Sequence, residues 1–331
     1  MAGLLPLIRG ATALYPVTRR LIFSTAINMA LNATEQRSRL RPPLTELVLP
    51  YSMVNATDLG SMRTFFESQK GTFDTSWGMV LGRAPSGSIS SASHTLTATS
   101  TVWPLGPFLS TDTGKQIVVV GAGTAGANLV TTVSAYTSPT QVSLTDAAGT
   151  TVSGADTRWG LYFPNLTLQA PDFPATEREP TRTTYSFQLR ARQTQNPAYT
   201  TGSTGGSFPA FSNGTITQFP YVRTQRFQVL LNDNQTSGTR YSWTWFDGGL
   251  SGFPSGSLRG WQLTGSALTD ADLAVWETFF ADQWGRYGTF TFTDPEDSTS
   301  HTKCRFDSDV FEVQHISPDI NTATLKILET N

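Results

Sequence analysis

Hydrophobic positions fall at helical spacing most clearly in two windows. DLGSMRTFFESQKG (58–71) sets Leu59, Met62, Phe65 and Phe66 on one face, and DLAVWETFFADQWG (272–285) does the same with Leu273, Trp276, Phe279 and Phe280. The windows match without gaps at Asp, Leu, Thr, Phe, Phe, Gln and Gly, which marks an internal duplication. Each is read as one amphipathic helix whose phenylalanines are core. Thr57 or Asp58 is expected to cap the first and Thr269 the second, and Gly71 and Gly285 stand where a left-handed C-terminal cap is wanted.

Alternation takes over outside these windows. LYPVTRRLIF (14–23) is echoed by FPYVRTQRFQV (219–229), and TELVLPYSMV (45–54) by RGWQLTGSAL (259–268). Aromatic-bearing extended segments follow each helix, Phe73 to Val80 and Tyr287 to Phe292. The order strand, turn, strand, helix, strand therefore occurs twice. Between the copies lies the Gly/Ser/Thr-rich stretch 86–100, and then GKQIVVV, LVTTVSAY, QVSLTD and TTVSG, short β-branched pieces that predict a small all-β insertion. TTYSFQLRAR (183–192) alternates as a half-buried strand, 193–214 lacks periodicity, and RFDSDVFEVQHISP with TATLKILE reads as a closing hairpin turning near Pro318, Asp319 and Asn321.

The predicted fold class is mainly β (α+β): two duplicated β-sandwich bodies, each with one amphipathic helix, plus a small all-β insertion. The divisions are 1–105 with 159–195 for the first body, 106–158 for the insertion, 196–214 for a linker or arm and 215–331 for the second body.

Composition narrows the function. Charged residues make up 15% of 331 positions, against roughly a quarter in ordinary soluble proteins, and the net charge is −2. Nothing in that balance draws the chain to phosphate backbones or an anionic membrane, so sequence-specific nucleic-acid binding and direct membrane insertion are not expected. Lysine occurs only at 70, 115, 303 and 326, and the other basic residues are arginine, which suits pairing at protein interfaces. Cys304 is the single cysteine, so no disulfide framework exists. No export signal is read in the first twenty residues, which Pro6, Arg9, Arg19 and Arg20 interrupt.

Candidate chemistry is sparse. Gly121, Gly123 and Gly126 have G-x-G-x-x-G spacing after a strand, with Asp146 about twenty residues on, the outline of an FAD- or NAD-binding fingerprint. The segment that would be its helix, ANLVTTVSAYTSP, is rich in strand formers, so a glycine-rich hairpin turn is the expectation and the oxidoreductase a remote alternative. His301 and Cys304 are too few for a zinc site, His94 and His315 stand elsewhere, and the acidic clusters 294–298 and 307–309 read as solvated turns. No catalytic residue, cofactor or metal is assigned, and the chain is read as non-enzymatic.

An aromatic-Pro start with basic residues, Thr25, Glu35-x-Arg37, an alternating strand and a D-L-x(5)-F-F-x(4)-G helix together resemble the distal tail proteins of long-tailed bacteriophages and gene transfer agents. GTFTFTDPED and CRFDSDVFEV resemble the C-terminal part of the same group, and the insertion resembles small β modules of phage tail and fibre proteins. The resemblance implies tail-tube-like bodies and a structural ring protein of the virion tail tip, assembled in the host cytoplasm. Its partners would be itself, in a ring of three or six copies, the tail tube protein, the tape measure protein and the hub or tip proteins. Arg19, Arg20, Arg190, Arg192, Arg223 and Arg226 are the candidate subunit-interface residues. An alternative makes the insertion a receptor or carbohydrate binder, with Trp103, Tyr136, Trp159 and Tyr162 as candidate glycan contacts.

Overall fold

The structure is a computed structural model and describes residues 3–8, 11–29, 35–70, 77–99, 106–169, 173, 176–179, 182–193, 205–209, 222–229, 233–236, 239–242, 258–294 and 299–330. Among the described residues the chain is mainly β, with two α-helices. In order, β1 (Gly3–Leu4), β2 (Val17–Ile22), β3 (Thr25–Met29), β4 (Glu35–Arg39) and β5 (Leu44–Val54) lead to α1 (Ala56–Ser68). Then come β6 (Trp77–Arg83), β7 (Ser86–Ile89), β8 (Thr95–Thr99), β9 (Gln116–Val119), β10 (Leu129–Ser138), β11 (Gln141–Leu144), β12 (Val152–Leu168), β13 (Thr176–Glu179) and β14 (Arg182–Gln193). The remainder is β15 (Val222–Val229), β16 (Asp233–Thr236), β17 (Thr239–Ser242), β18 (Leu258–Leu268), α2 (Asp270–Asp282), β19 (Phe290–Thr293), β20 (Ser300–Phe306), β21 (Val310–Ser317) and β22 (Ile320–Glu329).

These elements form two compact units, one of Met1–Val17, Leu47–Gln195 and His315–Asp319, the other of Thr18–Glu46, Asn196–Gln314 and Ile320–Asn331. In the first, β5 alternates so that Leu47, Leu49 and Tyr51 face a core shared with Trp77, Met79, Leu166 and Leu189. Leu59, Met62, Phe65 and Phe66 of α1 close that core. The cap of α1 is Asn55, whose side chain accepts from the Asp58 N–H at 2.8 Å, and not Thr57 or Asp58. An extended Asn directly after the last strand residue satisfies an orphan helix donor, and the later residues already have helical backbone.

A separate core in the same unit gathers Ile89, Leu96, Ile117, Val119, Leu129, Val142, Leu144 and Trp159. Here β9 pairs antiparallel with β10, β10 with β11, β11 with β8, and β7 with both β8 and β12. This module therefore takes in β7 and β8, which lie upstream of the expected 106–158 insertion. Serine, threonine and glycine hide the alternation there: Gly87, Leu96 and Ala98 face inward, and Thr95, Thr97 and Thr99 outward. Strand β12 ties module to body, pairing with β7 and β9 in its first half and with β6 and β14 in its second. Gly160 faces Gly82 at the changeover, where a Cβ on either would meet a backbone oxygen within 2.1 Å.

In the second unit, β18 pairs antiparallel with β15 on one side and with β22 on the other, and β20 pairs with β19 and β22. Trp261, Leu263, Leu273, Trp276, Phe280, Phe292, Phe306 and Phe311 fill its core. Thr269 caps α2 as expected, in a reciprocal capping box with Asp272. β18, Thr269 and α2 reproduce β5, Asn55 and α1 residue for residue, from Leu44 with Leu258 through Val54 with Leu268 to Ser68 with Asp282. The left-handed turn after each helix begins one residue before the expected glycine, at Lys70 (φ 51°) and Trp284 (φ 55°). Gly285 is also left-handed and donates to the Phe280 carbonyl at 3.1 Å, while Gly71 lies outside the described residues.

Part of the linker is anchored. Gln283 accepts from the Gly205 N–H at 3.2 Å and donates to the Gly205 carbonyl at 2.9 Å, and Phe208 enters the ring of Trp276, Phe279, Phe290, Phe292 and Phe306. Ser207 bridges in parallel to Thr291, the position that corresponds to Trp77, and Trp77 is where β1 pairs in parallel in the first unit.

Candidate assembly surface

The second unit contains a segment from the first repeat, Thr18 to Glu46. Its hairpin β3–β4 pairs from Thr25 with Arg39 to Met29 with Glu35. Three contacts hold it. Asp309 accepts from the Thr25 N–H at 2.7 Å and the Arg286 N–H at 3.0 Å, and its own carbonyl takes the Phe23 N–H at 2.8 Å. The 307–309 cluster is therefore a connector in which Asp309 holds backbone donors, rather than a merely solvated turn. Phe23 is buried against Phe280 and Trp284, with ring centroids 5.7 and 5.2 Å away.

The third contact is electrostatic. Arg305 donates to both Glu35 oxygens at 3.0–3.1 Å, and Arg37 donates to the same carboxylate at 2.8 Å and to the Tyr287 carbonyl at 3.0 Å. Burial pulls the Glu35 carboxyl upward, but hydrogen bonds and charge from Arg305 and Arg37 outweigh it and hold the group below its ordinary value. Arg39 lies over the Trp284 and Tyr287 rings, 4.7 and 4.4 Å from their centroids. One face of a short hairpin thus brings a carboxylate shared by its own Arg37 and by Arg305 of β20, beside a cation on two aromatic rings.

The six candidate arginines separate. Arg19 is turned inward, 7% exposed, and its guanidinium holds Glu277 of α2 at 3.0 and 2.5 Å. It braces the second unit's interior and offers no free surface. Arg20 is exposed and pairs with Glu312 at 2.6 Å. Arg190 points to solvent from β14, and Arg192 is half-buried. Arg223 and Arg226 belong to β15, with side chains outside the described residues. Among the glycan candidates, Trp159 is 2% exposed and packs on Phe108 at 4.5 Å, so its faces are taken by the module's core. Tyr136 leans on that core and Tyr162 covers Gly78; Trp103 lies outside the described residues.

The glycine motif is a hairpin turn. Strands β9 and β10 run antiparallel on either side of Gly121–Gly126, pairing Val119 with Leu129, and only a single 3-10 turn, Thr124–Gly126, lies between them, so no α-helix N-terminus follows the first strand to receive a phosphate. Asp146 instead exchanges hydrogen bonds with Thr131, at 2.8 and 3.1 Å. Cys304 is buried, its thiol pushed up to about 12 by burial and by the Glu329 charge, and its sulfur faces the His301 carbonyl. His301 sits 3.1 Å from Glu329 and 4.8 Å from the Trp261 ring. Among the described residues no three His, Cys, Asp or Glu gather as metal ligands, and no helix is long and apolar enough to cross a membrane.

Sequence reasoning missed Arg39, Trp284 and Arg305. Glu35-x-Arg37 was visible, but its partner lies 270 residues away, where no local spacing signals it. No known protein-family model matches the chain, and no curated protein matches it.

Proposed function

We propose that this chain is a structural, non-enzymatic protein of a phage tail tip, forming a ring that joins the tail tube to the hub. In this reading the two units are duplicated tail-tube-like β-sandwich bodies, each carrying one helix, and the module projects from the first. One observation carries it: a strand and hairpin of the first repeat are built into the unit formed by the second, so repeat-to-repeat gripping is already part of the chain. The matched strand, cap and helix of both repeats support equivalent bodies, suited to pseudo-symmetric assembly. Tail tube, tape measure and hub proteins are the neighbours this reading implies.

Light scattering on the purified native chain, with negative-stain imaging of the same fraction, tests the proposal. Rings of three or six copies are expected. A chain that stays single at every concentration, and also with tail tube or hub proteins present, would overturn it.

A further inference from the structure

A third internal match lies outside the paired helices and strands. Gly3-Leu4-Leu5-Pro6 and Gly206-Ser207-Phe208-Pro209 share the order Gly, any residue, a large apolar residue, Pro. Both segments serve one purpose in the fold. Leu5 is buried and donates its N–H to the Gly78 carbonyl at 3.0 Å, and Phe208 is buried and donates to the Thr291 carbonyl at 2.7 Å. Each segment therefore lies along the strand that follows its own unit's helix, β6 or β19, with one apolar side chain sunk in the core beneath.

Without these segments both strands would be sheet edges. Among the described residues β6 pairs on its other side with β12, and β19 with β20. Residues 77–81 and Phe290–Thr293 are uncharged runs of apolar and β-forming residues, the composition that takes on further strands when an edge is left open.

The cover goes beyond two short bridges. Ile8 and Ala11 form an isolated antiparallel bridge, with hydrogen bonds of 3.0 and 2.9 Å, and Thr12 then meets Gly82. The buried Thr12 hydroxyl accepts from the Gly82 N–H at 3.2 Å and donates to the Gly82 carbonyl at 2.9 Å. One side chain thus makes both bonds that a facing strand residue would make. The Leu5 carbonyl is taken by the buried Arg158. In the second unit the Thr291 N–H goes to the Gly206 carbonyl at 2.8 Å, while Gln283 holds both backbone groups of Gly205. Pro6 and Pro209 have no N–H, so neither segment offers a full edge in its turn.

We propose that 3–13 and 205–209 are edge guards, straps built into each repeat that keep β6 and β19 from adding a strand of a second chain. The inference goes beyond the ring reading and does not rest on it. A ring closes at a fixed mass, whereas strands added along open edges have no closing rotation and go on growing.

Variants at Thr12 test the first guard in the full-length chain. Thr12→Ser keeps a hydroxyl opposite Gly82, and Thr12→Val keeps the shape but removes it. The valine variant is expected to exchange the Gly82 amide roughly tenfold faster than wild type. It should also sediment as species that keep growing with concentration, and return to the wild-type profile when an excess of the peptide of residues 3–13 is added. The serine variant should match wild type throughout. A valine variant of discrete, wild-type mass at every concentration would overturn the inference and leave the ring reading standing, and growth that the peptide does not reverse would overturn it too. If Thr12→Val does not fold, Phe208→Ala opens the second guard in its place: open-ended growth supports the inference, and a folded species of wild-type mass overturns it.

Discussion

Glu35 accepts both prongs of Arg305 from 270 residues away. The side chains are 11% and 9% exposed, so the pair is shielded from solvent, and Arg37 shares the carboxylate. Removing one partner from such a cluster leaves buried guanidinium charge uncompensated. Glu35→Gln is expected to cost about 3 kcal/mol at neutral pH, read by denaturant unfolding.

The same pair fixes a pH dependence. Because the folded-state value of Glu35 is lowered, its contribution is complete above the ordinary carboxylate value of 4.5 and is lost as pH falls through the lowered value. Wild-type protein should lose more stability than Glu35→Gln between pH 5 and the acid limit of folding. Parallel acid curves for the two would refute the assignment.

Asn55→Ala and Thr269→Ala each remove one helix cap, and each should cost about 1 kcal/mol. Hydrogen exchange distinguishes them: the first variant should loosen α1 amides, the second α2 amides.

Gly82→Ala or Gly160→Ala should break the pairing of β6 with β12, since the added carbon meets the Trp159 oxygen at 1.8 Å or the Leu81 oxygen at 2.1 Å. Gly160 also has φ +143°, strained for any other residue. Either variant should express poorly or melt well below wild type. Wild-type melting would show that the strands do not cross here.

Phe208→Ala opens a cavity in an aromatic ring of five and should cost about 3–5 kcal/mol. Limited proteolysis should cut near 205–209 in this variant and spare the wild type.

Removing 110–157 alone would strip β9, β10 and β11 from β7 and β8 and expose Ile89 and Leu96. Bridging Arg83 to Trp159, which face each other across β6 and β12, removes the module at its seam. If the module is the receptor or glycan binder, this variant should assemble normally and lose adsorption; unchanged adsorption would sink that reading.

What was legible followed from local signals. The alternation of Leu47, Leu49 and Tyr51, the helical faces through Phe66 and Phe280, and the hairpin at Gly121–Gly126 all lie within windows of a few turns or pairs. Caps were less legible, because Asn55, Thr57 and Asp58 are all good capping residues and only backbone angles choose among them. The module's upstream edge was hidden by small polar residues, and the hairpin's grip by sequence distance: nothing near Arg39 announces Trp284. Arg19 looked like surface because arginine usually is, yet Glu277 on α2 gives it a buried partner.

Among the described residues the three hydrophobic cores share no residue. Cooperativity in folding travels through shared packing, so side-chain packing does not couple these cores and only shared strands such as β12 do. Under load, three such cores would give three yield points in place of one. A pull on the chain would open the weakest core first and leave the other two standing, the behaviour of a fuse rather than of a rivet.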